Sequence, residues 1–248
     1  MVILLVEGLE DVDIINGIFT LGMVIINTMV GLILIIKSRK LKNRAIFSMG
    51  ISLALLTSPW VANSVNFLLI LFSYKALTPE IHLAIALIPL PIANFAWMVV
   101  ITELLFKKKQ KIILSAYLAF SLFFDIIVIY LLSINYQLVG TFDSPLDTVY
   151  SSLISGLILI LLLTVQITSI WFFIVSRRAE NPEAKLKASF FLLSSTTFVI
   201  ASIIDARIET GILLIIIVRF LLLLGAIEIY WAFLLPDYIK KIFLKSPS

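Results

Sequence analysis

Apolar residues run along this chain in seven long stretches, and short polar segments separate them. The stretches cover about 14–36, 45–73, 81–106, 112–136, 148–176, 188–205 and 212–235. At about 1.5 Å per residue, each is long enough to cross a hydrocarbon core about 30 Å thick. The stretches are continuous rather than alternating, which predicts helices and argues against the strands of a barrel. The expected fold is all-α: a polytopic membrane protein, a seven-transmembrane helix bundle forming one domain over 1–248.

Charge adds a direction. Lys37, Arg39, Lys40, Lys42 and Arg44 fill the first loop, Lys107, Lys108, Lys109 and Lys111 the third, and Arg177, Arg178, Lys185 and Lys187 the fifth. Lys240, Lys241 and Lys245 follow the last span, and only Lys75, Arg207 and Arg219 lie elsewhere. Short basic loops stay in the cytoplasm, so the N-terminus is expected outside and the C-terminus inside. The opposite face is acidic, with Glu7, Glu10, Asp11, Asp13, Glu80, Asp143, Asp147 and Glu209.

Composition narrows the function classes. Hydrophobic residues make up 61% of the chain, and the mean hydropathy is +1.14. The spans use almost every residue, which leaves no room for a soluble catalytic or DNA-binding domain. The net charge of +4 is thus a topology signal, and no nucleic-acid partner is expected. The polybasic segments Lys37–Arg44, Lys107–Lys111 and Arg177–Lys187 suit anionic lipid or an acidic cytoplasmic signalling protein. Cysteine is absent, which excludes disulfides, thiolate catalysis and Cys-ligated metal. Met1–Leu5 lacks the basic start of a signal peptide, so Val2–Val6 is expected near the outer interface. The loops are short, the longest about eleven residues, so a ligand must enter between helices or arrive as a lipid or protein.

Polar residues at membrane depth carry the candidate chemistry, because each is costly unless paired or wet. Counting from the outer ends, Asn66 and Asn63 lie about 10 and 15 Å deep, Asn94 about 20 Å, Asp125 about 17 Å and Arg219 about 10 Å. Trp60, Asn63, Ser64 and Phe67 share one helical face, as do Leu90, Asn94, Trp97 and Ile101. Pro59, Pro89 and Pro91 sit close by, and each removes a backbone donor and kinks its helix. Two kinked helices presenting Asn and Trp at matching depth would form a ligand pocket from Trp60, Asn63, Asn66, Asn94, Trp97, Asp125 and Arg219. The competing reading is that the Asn side chains hold helices together.

Arg219 stays charged and needs an acid: Asp205 or Asp125 for a structural ion pair, or an anionic ligand group. Asp125 is the carboxyl expected to be proton-linked. Glu103 has Lys107 four residues on, a favourable helical pair. Glu228 has no such partner and is expected to anchor against Arg44 or another inner-loop cation. Trp171, Tyr230, Trp231 and Tyr150 read as interfacial anchors. His82 stands alone, so a metal site is not expected. Neither a nucleophile–base set nor a phosphate loop is visible, so an enzyme is not expected.

The seven-helix plan is shared with the microbial rhodopsins, but the only span-seven cation is Arg219. That family holds retinal on a span-seven lysine, so retinal is disfavoured here, and no cofactor is expected. Sugar transporters of the three-plus-one-plus-three type share the topology too, and Lys40-Leu41-Lys42 against Lys185-Leu186-Lys187 hints at a three-helix repeat. Those transporters carry prolines in both repeats, and spans one, five, six and seven here have none inside. Ala84-Ile85-Ala86-Leu87-Ile88-Pro89, leading into an aromatic-rich helix and the Lys107–Lys111 loop, resembles span three of the N-terminal sensor region of bacterial and archaeal histidine kinases. The resemblance implies a sensing bundle. The chain stops at Ser248 without a kinase domain, so such a bundle would signal through a separate partner.

The leading expectation is a receptor-like sensor with a ligand in its outer half. The alternatives are a solute or ion transporter with a midplane site around Asn63, Asn94, Asp125 and Arg219, and a structural subunit of a larger complex. Abundant Ile and Lys suit a prokaryotic plasma membrane.

Overall fold

The computed structural model describes residues 9–73, 75–207 and 211–244. The expectations for Val2–Val6, Glu7, Glu209 and Lys245 lie outside the described residues. The chain folds into helices α1 (Asp11–Leu41), α2 (Arg44–Leu56), α3 (Ser58–Ser73), α4 (Pro79–Leu87), α5 (Pro89–Leu105) and α6 (Gln110–Ile134). A hairpin follows, of β1 (Gly140–Ser144) and β2 (Asp147–Tyr150). Helices α7 (Ser152–Ser176), α8 (Pro182–Arg207), α9 (Ile212–Leu234) and α10 (Asp237–Phe243) complete the described residues. Among the described residues, six helical segments are long and apolar enough to cross a membrane: α1, α4 with α5, α6, α7, α8 and α9. The outward faces of α6 and α7 are lined by Ile, Leu and Phe, including Ile112, Phe123, Ile126 and Ile167. An apolar surface this extensive fits lipid and not water.

The apolar stretch 45–73 is not the one continuous helix its hydropathy suggests. It breaks at Thr57, where α2 and α3 meet at 48°. Pro59 has no N–H, so the Leu55 carbonyl loses its helical donor and takes the backbone N–H of Thr57 instead. The Thr57 hydroxyl turns back to the Ala54 carbonyl at 2.8 Å, and Ser58 donates to the Ala86 carbonyl at 2.7 Å. Hydroxyls thus satisfy backbone groups at both breaks and tie α3 to α4. At Pro89 the interruption is milder, since Ile88 stays helical (φ −59°, ψ −36°).

A second departure lies at 148–150, read from hydropathy as the start of a span. These residues form a strand instead, pairing Gly140 with Tyr150, Thr141 with Val149 and Phe142 with Thr148, and the helix begins only at Ser152. Thr, Val and Tyr are strong strand formers, and the partner strand supplies their backbone bonds. The segment expected as a bare loop is therefore a small lid. Leu146 at its tip is buried, and Phe142 packs edge-on against the buried ring of His82 at 5.1 Å. The tail after α9 is likewise structured: α10 buries Ile239, and Lys240 meets Glu183 of α8 at 2.9 Å.

Helices α1, α2, α5, α7, α8 and α9 close into a ring, each packed on the next and α9 returning to α1. Helix α3 packs on α1 and α4, and α6 lies outside α4 and α5. A tight crossing joins α1 to α2 through glycines. A Cβ on Gly50 would lie 2.6 Å from the Gly31 carbonyl oxygen, and one on Gly31 would lie 2.9 Å from that of Gly50. Backbone meets backbone there, the close approach that small residues allow between membrane helices. Gly50→Ala is expected to lower unfolding stability by about 1–3 kcal/mol through overpacking. Gly22→Ala, where a Cβ meets nothing within 4 Å, is expected to leave it unchanged or slightly raised. Thermal unfolding of the two purified variants checks the contrast.

Candidate functional site

Arg219 sits one-third of the way along α9 with only 4% of its side chain exposed, so a bare guanidinium there would be prohibitively costly. Each of its nitrogens is used. Nη1 donates to Asp205 Oδ1 of α8 at 2.6 Å, Nε to Thr20 Oγ1 at 2.8 Å and Nη2 to Asn16 Oδ1 at 3.0 Å, the last two on α1. Thr20 in turn donates to Asn16 Oδ1 at 3.0 Å, and the indole N–H of Trp60 on α3 reaches Asp205 Oδ2 at 2.8 Å. One charge thus joins four helices.

Beside this cluster a cavity of about 210 Å3 opens toward the hairpin. Asn16, Trp60, Asn63, Asp205 and Arg219 form its polar wall, Leu146, Asp147, Thr148 and Tyr150 its lid, and Ile158, Leu162, Val165 and Phe198 its apolar side. Asn63 Oδ1 and Ser202 Oγ, both from residues lining it, are buried without a hydrogen-bond partner. On the lid Asp147 keeps an exposed edge, and partial loss of hydration with the nearby Asp205 and Asp143 charges raises its carboxyl above the usual range. The same causes, burial and then the Asp205 and Asp147 charges, push the Tyr150 hydroxyl up, so it remains a donor at neutral pH.

The expected pocket residues divide. Trp60, Asn63 and Arg219 line this cavity, and Asp205 joins them. Asn94 and Trp97 do not: Asn94 Nδ2 donates to the Leu161 carbonyl at 3.1 Å and Trp97 Nε1 to Thr168 Oγ1 at 3.0 Å, both joining α5 to α7. Asn66 is a clamp, accepting from the Leu77 N–H at 2.7 Å and donating to the Pro145 carbonyl of the lid. Asp125 is half-buried on α6, its Oδ1 without a partner, and it is not among the groups that Arg219 contacts. The four residues considered for a midplane transport site therefore do not surround one cavity. Helix rotation explains this: α5 turns its Asn94 face to α7, and α6 lies outside the ring.

Other expectations shift too. Glu228 is 3% exposed, is in no ion pair among the described residues, and leaves Oε2 without a partner, while Arg44 is exposed at the start of α2. Glu103 and Lys107 do meet, at 2.7 Å. No group of three His, Cys, Asp or Glu side chains suited to a metal ion occurs among the described residues. Sequence reasoning missed Asn16 and Thr20, although two polar residues four apart in an apolar span carry the same signal that singled out Asn63. Asp147 and Tyr150 were placed at the boundary and not over a pocket, because a lid is not visible in hydropathy.

No protein-family model matches the chain, and no curated protein matches its sequence.

Asp205→Leu strands the buried Arg219 charge and is expected to cost about 3–5 kcal/mol, and Arg219→Leu, which leaves the partly exposed Asp205 with Trp60, is expected to cost less. The double variant is expected to be less destabilised than the sum of the two, which a double-mutant cycle in thermal or denaturant unfolding measures. At Asp147 the folded-state pKa is raised, so stability is expected to fall as pH rises from the usual carboxylate range through that raised value. Asp147→Asn removes this loss: it is expected to be more stable than the parent at pH 7, with the difference gone at a pH low enough to protonate the carboxyl in both states.

Proposed function

We propose that this protein is a receptor-like membrane sensor of seven spans, α2 and α3 together forming the bent second one. Odd crossings and the positive-inside rule then put the N-terminus and the hairpin lid outside, and the basic loops and α10 in the cytoplasm. A small or lipidic ligand occupies the cavity under the lid. The observation that carries this reading is the cavity itself, with Asn63 Oδ1 and Ser202 Oγ unpartnered beside the Arg219 cluster. Buried polar atoms are almost always satisfied, and an orphaned pair at a cavity suits a ligand. Because Asp205 holds Trp60, and Arg219 holds α1 and α8, a ligand that shifts either carboxylate or indole strains several helices at once. That strain is what a signal to the cytoplasmic loops needs. The polybasic loops would pass it to an acidic partner protein or to anionic lipid. The likeness of Ala84–Pro89 and the Lys107–Lys111 loop to the sensor region of histidine kinases supports the same reading, and with it a prokaryotic plasma membrane. In this reading the protein is not an enzyme and carries no cofactor.

One observation favours a second reading, a carrier. Another cavity, of about 490 Å3, opens at the basic-loop end beside Asn43, Lys187 and Phe233. Phe191 lines it and stacks on Trp97 at 4.8 Å between ring centres, with Phe172 at 5.1 Å and Phe233 at 5.9 Å. In a carrier this aromatic plug would be the gate, and Phe191→Ala would raise solute flux into liposomes. In a sensor it would alter coupling without flux.

The deciding experiment is thermal unfolding of the detergent-purified protein against a panel of metabolites, ions and lipids across pH. A sensor is expected to show a saturable stabilisation by one compound class, weakened about tenfold or more in Asn63→Leu, with no flux. No stabilisation by any compound would favour a structural subunit and turn attention to copurifying partners.

A further inference from the structure

The lining of the outer cavity is unevenly supplied with charge and with donors. Among the described residues its one cation is Arg219, which has every nitrogen engaged by Asp205, Thr20 and Asn16. Its two carboxylates are Asp205, which that guanidinium neutralises, and Asp147, which lies at the exposed rim of the lid and meets no cation within ion-pair distance among the described residues. No lysine lines the cavity among the described residues. Among the described residues the polar wall is therefore neutral and the lid adds one negative charge, at Asp147, facing the unpartnered Asn63 carbonyl oxygen of the wall. Around it stand three aromatic side chains, Trp60, Tyr150 and Phe198, and Trp60 meets Phe198 edge-on at 6.1 Å. Aromatic faces next to a carboxylate form the setting in which a cationic nitrogen loses its water at least cost.

The remaining wall is aliphatic and reaches the side of the bundle. Leu159 of α7 and Ile203 of α8 line the cavity while keeping 41% and 42% of their surface exposed, so it extends sideways to the seam between these helices. A ligand seated there has its polar end under the lid and its apolar end toward the seam.

We propose that the cavity binds an organic ammonium with a short hydrocarbon body, its nitrogen between Asp147, Asn63 and the aromatic side chains and its chain at the α7–α8 seam. This rests on the cavity being the ligand site. It also removes the expectation that Arg219 receives an anionic ligand group: Arg219 braces the wall and holds Trp60 in place through Asp205. The same chemistry is available from a free amine or from an ethanolamine lipid headgroup.

The test uses the full chain in uncharged maltoside micelles and isothermal titration with hexyltrimethylammonium, hexylammonium and hexanoate. Saturable binding of either ammonium but not of hexanoate, about tenfold weaker in Asp147→Asn as one charge-assisted contact is lost, is the expected result. Asn63→Leu is a second variant expected to weaken it. Micelles doped with phosphatidylethanolamine separate the sources: competition with the soluble probe identifies the headgroup, and undiminished binding identifies a free amine. Hexanoate binding in place of the ammonium overturns the inference while leaving the cavity a ligand site. So does ammonium binding that Asp147→Asn and Asn63→Leu leave unchanged. If neither charge type binds and the broader panel also stabilises nothing, the sensor reading itself fails.

Discussion

A guanidinium that cannot leave the bundle sets the terms for its outer half. Arg219 is part of a helix whose other side chains are nearly all apolar, and burying its charge without partners would cost far more than any packing there returns. Asp205 alone accepts one of its donors, so α1 supplies Asn16 and Thr20 for the rest. Trp60 then completes the second oxygen of Asp205. Satisfying one charge thereby prescribes the rotation of α1, α8 and α9 and the approach of α3. Apolar packing in a lipid environment cannot impose this, since lipid tails and core side chains are equally apolar.

The breaks in the helices serve the same region. A straight helix from Arg44 to Ser73 would carry Trp60 along the axis of α2; the bend at Thr57 redirects the α3 face that bears Trp60 and Asn63. Hydroxyls reinforce the bend, with Thr57 donating to the Ala54 carbonyl and Ser58 to the Ala86 carbonyl of the facing helix. Asn66, a turn beyond Asn63, then clamps the lid through Pro145 and the α3–α4 connection through Leu77. Kink, charge cluster and lid thus meet around one cavity, with the tight Gly31–Gly50 crossing holding α1 and α2 together below it.

The two halves of the molecule use polar groups differently. On α5 and α7, Asn94 and Trp97 join neighbouring helices, the outcome that helix adhesion predicts. On α3 the same residue types, at the same spacing, face a cavity. Spacing alone does not separate the cases: both pairs show an Asn and a Trp three residues apart beside proline. What separates them is the neighbour each face meets, a filled seam against α7 for one and the lidded gap for the other.

Hydropathy and charge along the chain were enough to determine the helical class, the approximate extent of each long helix, and the gathering of basic residues in alternate loops. Those properties are local, because twenty consecutive apolar residues favour a helix whatever surrounds them. Polar residues at depth were legible as costly, and Asp205 stood near enough along the chain to be a partner for Arg219. Tertiary structure alone decided that Asn16 and Thr20 complete that partnership, that Asp125 stays outside it, and that Thr148–Tyr150 turn from helix to lid. These outcomes depend on how helices are rotated and ordered around the ring. A helix apolar on every side carries no stripe to specify that rotation, so only the assembled contacts of its few polar groups do so.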